Sequence, residues 1–321
     1  MRTLLALVIA TLVSAPAALA DASIQQKSQF HFGGALGGVI NVFGRSATHE
    51  GVVTDVTIHK NRKSSRTGDT GEIVDLDEQK IYYVDYGRQT YKVKTFDELR
   101  KEYEDAKARA KEREQQTSKN AEKNEGPEYQ VDFALKSTGN KETINGWNTH
   151  EEIATVTVHE KGKKLEESGG FVLTSDMWMG PRVPAMRELA EFERRFLQKV
   201  YGDALIGDMR QMAAMLATTP AFAKAMKAFN DKQSKFEGTA IRTKTTFETV
   251  AGTDPDSSTQ SQSSSPAGAL GGLLGRMKQR RQSDQNGPAR GTLLDSNHEL
   301  LKASTSASAD AVAIPAGFKL R

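Results

Sequence analysis

The chain has 321 residues, no cysteine and a formal net charge of +3. The missing thiol excludes disulfides, thiol catalysis, cysteine-ligated metal and the acylated cysteine of a bacterial lipoprotein. The nearly balanced charge and an aromatic content of 7% lack the basic footprint of a nucleic-acid-binding protein.

The N-terminus has the layout of a secretory signal. Arg2 is the positive end, Leu4 to Val13 is a short apolar run, Pro16 breaks it, and Ala18-Leu19-Ala20 forms an A-x-A cleavage site. Residues 1–20 are therefore expected to be removed, leaving a chain that starts at Asp21 with net charge +2. An uncleaved anchor is the alternative, disfavoured because the apolar run is shorter than the ~18 residues a spanning helix needs. An exported chain with no lipidation site is expected in the periplasm. Without disulfides it must rely on a hydrophobic core, which a chain of this length can build.

Ser23 to Phe32 reads as extended, followed by the glycine-rich phrase GALGG at 34–38 and then by a strand over 51–59. GDTG at 68–71 marks a turn between two short strands. KIYYVDY (80–86) and QTYKVK (89–94) read as a hairpin turning at Gly87-Arg88. Thr95 caps a helix whose stripe is Phe96, Leu99, Tyr103, Ala106 and Ala110, and which passes into a charged stretch at 111–126. EYQVDFALK (128–136) alternates as a half-buried strand, Asn145-Gly146 marks a turn, and 147–159 and 170–177 read as two more strands.

The middle of the chain reads as helical. One helix begins at Pro184 with Met186, Leu189, Phe192, Phe196 and Val200 on one side, and a second covers 203–217 with Met209 and Met212. A third short piece begins at Pro220. Strand alternation returns over 237–250, a Ser, Gln, Gly and Asp-rich insertion occupies 251–290, and a last strand is expected near 300–309. Strands follow strands and helices follow helices. The fold class is α+β: one domain over 21–321, a curved antiparallel sheet with helices on its concave face and insertions near 33–47, 111–126 and 251–290.

Three segments, KIYYVDYGRQTYKVKTFDEL (80–99), STGNKETINGW (137–147) and IPAGFK (314–319), together resemble a family of bacterial exported proteins without an assigned activity. The resemblance covers roughly residues 22–320, insertions aside. It implies the half-barrel of the periplasmic lipoprotein carriers LolA and LolB, an incomplete antiparallel barrel with an apolar cavity under its helices. In those carriers the cavity takes acyl chains. The family has no functional residues to carry over, and the glycine-rich insertions and charged helix depart from the carriers.

No catalytic constellation stands out. The six histidines are scattered, His150-Glu151-Glu152 is not H-E-x-x-H, and neither G-x-S-x-G nor S-x-x-K with its partner motifs is present. The reading is of a non-enzyme with no cofactor and no metal. Seven of nine methionines fall between Met177 and Met226, among Trp178 and several Phe. Methionine suits adaptable apolar pockets as well as ordinary cores. The candidate cavity wall is Phe171, Met177, Trp178, Met186, Phe192, Phe196, Met209, Met212 and Phe247, with a lipid or lipoprotein as the expected ligand.

The phrase GALGG returns at 268–272. Neither copy has a phosphate-loop lysine, and their separation is not that of a repeat protein. Leu36, Val39 and Phe43 follow or lie in the first copy. Leu270 and Leu273 mark the second, which ends in Arg276, Lys278, Arg280 and Arg281. Apolar residues beside cations suit a lid or a transient contact with an anionic membrane surface. Capture of an envelope protein partner and plain loop extension are the alternatives. Each copy lies between two consecutive strands, the first pair and the last pair, which makes their relative position in the sheet a geometric question.

Overall fold

The computed structural model describes residues 21–33, 51–120, 128–217, 236–253 and 290–321, with the side chains of 113–120 and 203–217 left out of the description. Twelve strands form one curved, mostly antiparallel sheet. They are β1 (Ala22–Phe32), β2 (Val52–His59), β3 (Arg62–Thr67), β4 (Thr70–Asp75), β5 (Lys80–Asp85), β6 (Thr90–Thr95), β7 (Tyr129–Ile144), β8 (Trp147–Glu160), β9 (Gly169–Gly180), β10 (Thr239–Ala251), β11 (Arg290–Ser304) and β12 (Lys319–Leu320). The helices are α1 (Phe96–Asn120), the single turn α2 (Leu165–Ser168) and α3 (Pro184–Ala217), with a 3-10 turn at Ala309–Val312. The spatial order is β12-β6-β5-β4-β3-β2-β1-β11-β10-β9-β8-β7. Two up-and-down meanders thus meet at the β1–β11 pair.

The turn residues set the hairpins. Gly68, after β3, has φ +54°, and Asn145 and Gly146 between β7 and β8 have φ +50° and +87°. Paired positive φ values give the type I′ geometry that matches strand twist. Thr95 starts α1 with a reciprocal cap: its hydroxyl accepts from the Glu98 backbone N–H at 3.2 Å while Glu98 Oε2 accepts from the Thr95 N–H at 2.7 Å. Helix α1 runs on through the charged stretch to Asn120. The two helices expected over 184–217 form one element broken at Gly202, whose φ of +52° and ψ of −139° leave the helical region. Strand β11 starts at Arg290, ten residues before the expected position. Its early residues set two adjacent leucines, Leu293 and Leu294, before five polar side chains, which hides the period.

The main core lies between one face of the sheet and helices α1 and α3. Ala22, Ile24, Val56, Ile58, Val74, Ile81, Ile241 and Leu300 from the sheet meet Phe96, Ala185, Phe192 and Val200 from the helices. Phe96 and Phe196 meet edge to face at 5.4 Å, and Tyr103 packs on Tyr201 at 5.1 Å. Polar ties fix α3 over the short strands: Lys63 Nζ donates to Glu193, Arg195 to Asn61, and Lys199 to the Leu76 carbonyl. On the other face Ile73, Tyr82 and Val84 form a second cluster, covered by Ile314 and Phe318 of the C-terminal segment. That segment ends as β12, which pairs in parallel with β6.

Phe192 is fully buried at the centre of this packing. Replacing it with Ala removes a whole aromatic side chain and leaves a cavity, which costs about 3–5 kcal/mol. Denaturant titration should show that loss as a lower midpoint with an unchanged slope.

Candidate functional site

The long strands β7 to β11, with β1, carry an apolar band on one face. Antiparallel partners share a face, and alternate residues of one strand do so too. The registers place Phe133, Val156, Leu173, Phe247, Leu294 and Phe32 in one continuous row across six strands. Phe171 and Val158 stand one step toward the strand ends, and Phe171 stacks on Phe247 at 5.8 Å with 22° between the planes. Leu135 and Phe30 stand one step the other way. On β1 this face is the one that carries Ile24 into the helix-packed core. The band is only half buried: Leu173 is 38% exposed and Phe30 42%.

The opposite face of the same strands is mostly polar. Asp176 pairs with Lys244 and Lys244 with Asn297, while Thr155, Thr174, Thr246 and Asp295 form the adjacent row. Burial, then the neighbouring Glu151, raises the Asp176 carboxyl above its ordinary pKa. The sheet therefore turns a wet side outward and offers its apolar side to something else.

The expected cavity residues divide between two places. Phe171, Met177 and Phe247 lie on the band's face. Met186, Phe196 and Trp178 pack against the main core, and Phe192 is inside it. Met209 and Met212 belong to α3 beyond Gly202, and their side chains lie outside the described residues. Leu36, Val39, Phe43, Leu270, Leu273, Arg276, Lys278, Arg280 and Arg281 lie outside them as well. Their anchor points are described. Gly33, just before the first GALGG segment, donates its N–H at 3.0 Å to the carbonyl of Leu293, near the start of β11, the strand that follows the second insertion. A Cβ at Gly33 would come within 1.8 Å of the Thr292 carbonyl oxygen, so only glycine permits the approach. Both segments thus leave the sheet from the same end of adjacent strands, beside Phe32 and Leu294.

Several residues of the band were not singled out by their sequence: Phe30, Phe32, Phe133, Val156, Leu173 and Leu294. The available signal was the period-2 alternation within each strand. What was missing was the register that brings one residue from each strand into line.

Polar groups enter this face toward the helix-packed end, first as Ser175, Thr245 and Ser296 in the row of Leu135 and Phe30. Ser137, Glu152, Met177, Thr243, His298 and Ser28 form the next row toward the helix-packed end. The Ser28 hydroxyl and His298 Nδ1 lie 2.9 Å apart, and burial holds the His298 pKa below its usual value. Glu152 is 4% exposed and accepts a 2.8 Å hydrogen bond from the Ser137 hydroxyl. Among the described residues no three His, Asp or Glu side chains are grouped to hold a metal ion, and no helix is long and apolar enough to cross a membrane.

The chain matches no protein-family model and no curated protein. The geometry alone has to carry the function.

Away from the band, a concavity of about 420 Å³ opens over β3 to β6. The row Ser65, Glu72, Tyr83 and Lys92 lines it, with Arg88 and Arg321. Its charges are mixed in sign, which favours no single class of ligand. Burial, opposed by Lys63 and reinforced by Glu193, raises the Glu72 carboxyl above the ordinary range. An acid with a raised folded-state pKa holds its proton more tightly when folded. Stability is then greatest below the unfolded pKa and falls as pH rises through the folded one. Glu72→Gln should therefore raise Tm at pH 7 and leave it unchanged near pH 4, which a thermal scan at both pH values checks.

Proposed function

We propose that the protein is a periplasmic carrier that binds the acyl portion of a lipid or lipoprotein on the apolar face of its long strands, in a half-barrel of the LolA and LolB kind. The single observation that carries this reading is the row from Phe133 to Phe32, six apolar side chains aligned across six strands and only half buried. A solvent-facing sheet surface would alternate toward polar residues here, as the opposite face does. Transfer of acyl carbons onto such a surface contributes about 0.8 kcal/mol per CH₂, so eight buried methylenes supply about 6 kcal/mol before the cost of immobilising the ligand.

Two further features support the reading. Gly33 and Leu293, the described anchor of the first insertion and its partner in β11, sit at the end of the band, and the sequences of the two insertions, apolar residues beside cations, suit contact with an anionic membrane surface. The face is assembled from aromatic and branched side chains on rigid paired strands, which preorganises it without requiring the binding to order a loop.

The test uses the purified chain from residue 21 and a fluorescent fatty-acyl probe, with extraction of the protein as purified for lipid mass spectrometry. Saturable probe binding and co-purified lipid are the expected results. Leu173→Asp combined with Phe247→Asp, which places two charges in the row, should weaken the probe at least tenfold, about 1.4 kcal/mol, with the fold intact by circular dichroism. No saturable binding and no recovered lipid would sink the reading.

A further inference from the structure

We infer that the ligand carries a cationic head, an amine on an apolar tail, and that Glu152 receives it. The inference rests on the carrier reading and adds the chemistry of the ligand's polar end.

The buried carboxylate on the band's own face is the starting point. Glu152 lies on β8 with Ala154, Val156 and Val158 following at alternate positions on the same side. At about 3.3 Å per residue the stretch from Glu152 to Val158 spans about 20 Å, the length of a medium acyl chain laid along the strand. One end of that track is acidic and the rest is apolar.

Glu152 is poorly compensated where it stands. It is 4% exposed. The Ser137 hydroxyl donates to Oε2 at 2.8 Å, and His150 Nε2 is 3.9 Å from Oε1, beyond hydrogen-bond reach. Among the described residues no lysine or arginine pairs with it, although cations answer carboxylates elsewhere in the molecule, as at Lys63–Glu193, Arg62–Asp75 and Arg242–Glu299. Its neighbours across the sheet, Met177 and then Thr243, bring no charge. A buried carboxylate with one neutral donor is left short of partners, and a positive group is the partner that completes it. An ammonium head would supply both the charge and the missing donors, while its tail ran down the band. A fatty acid in the same pose would set two carboxylates against each other.

The experiment is competition against the bound acyl fluorophore by dodecylamine, dodecanol and dodecanoate, each below its aggregation concentration, on the wild-type chain and on Glu152→Gln. The expected order for the wild type is amine first, at least tenfold ahead of dodecanoate, with dodecanol between. Glu152→Gln should erase the gap between amine and acid and leave dodecanol unchanged. The Gln side chain keeps the size of Glu and can still accept from Ser137. Equal potency of amine and acid on the wild type, or a preference that survives in Glu152→Gln, overturns the inference while dodecanol competition upholds the carrier reading. Failure of all three to compete overturns both. The wild-type comparison decides the matter even if the variant folds poorly.

Discussion

Everything in this molecule depends on one pairing, β1 with β11. Every other antiparallel neighbour in the sheet is also a neighbour in sequence, so the remaining ladders form two local meanders. Only β1–β11 joins them, over ten paired positions from Ser23–Ser304 to Phe32–Leu294. It closes a loop spanning nearly the whole chain, and its entropy cost must be met by the ladder and by what the joined sheet can then bury. Ile24 and Leu300 are 2% and 1% exposed and stand on either side of that seam, beneath α3. Helix α3 therefore lies across the joint, while α1 packs on α3 and on β6. Register irregularities at Gln25/Gln26 and near Ile241 bend the sheet at the same level.

The seam also determines where polarity goes. At its upper end the sheet is closed over by α1 and α3, and the charged groups that meet the helices are paired. Toward the lower end the long strands keep an apolar face and a polar face. Each of the five strands β7 to β11 places one apolar residue in the same row, and β1 contributes Phe32 from the other meander. The site is thus a property of the assembled sheet. The same pairing holds Gly33, just after the end of β1, beside Leu293 near the start of β11.

Much of the architecture was legible in the sequence, because it is written in short-range signals. Alternation over 128–136, the turns at GDTG and Asn145-Gly146, the Thr95 cap and Pro184 each act within a few residues, and the elements appear where those signals stand. The class, α+β with a curved antiparallel sheet, followed from their order. The start of β11 was obscured because Ser296 and His298, on the band's face, are as polar as Asp295, Asn297 and Glu299 on the other, so no apolar period shows there. The site was less legible. Phe171, Met177 and Phe247 could be picked out as apolar residues, but the difference between them and Phe192, which is core, depends on tertiary position. The methionine-rich helix drew notice by composition, whereas the aligned face is drawn from strands as far apart as β1 and β11. Only register reveals it, and register is fixed by pairing partners that local sequence does not name.

The two edges of the sheet carry a separate consequence. An open sheet offers unpaired backbone at both sides, and a long edge such as β7 invites the addition of foreign strands. Here one edge ends in the two-residue β12, flanked by Lys319 and Arg321. The other, β7, is interrupted by a register shift between Ser137 and Lys141 and sets exposed Lys136 and Lys141 beside the break. A charged, broken edge and a very short one are poor templates for aggregation. The half-buried apolar face of the long strands is thereby kept apart from the edges through which sheets polymerise.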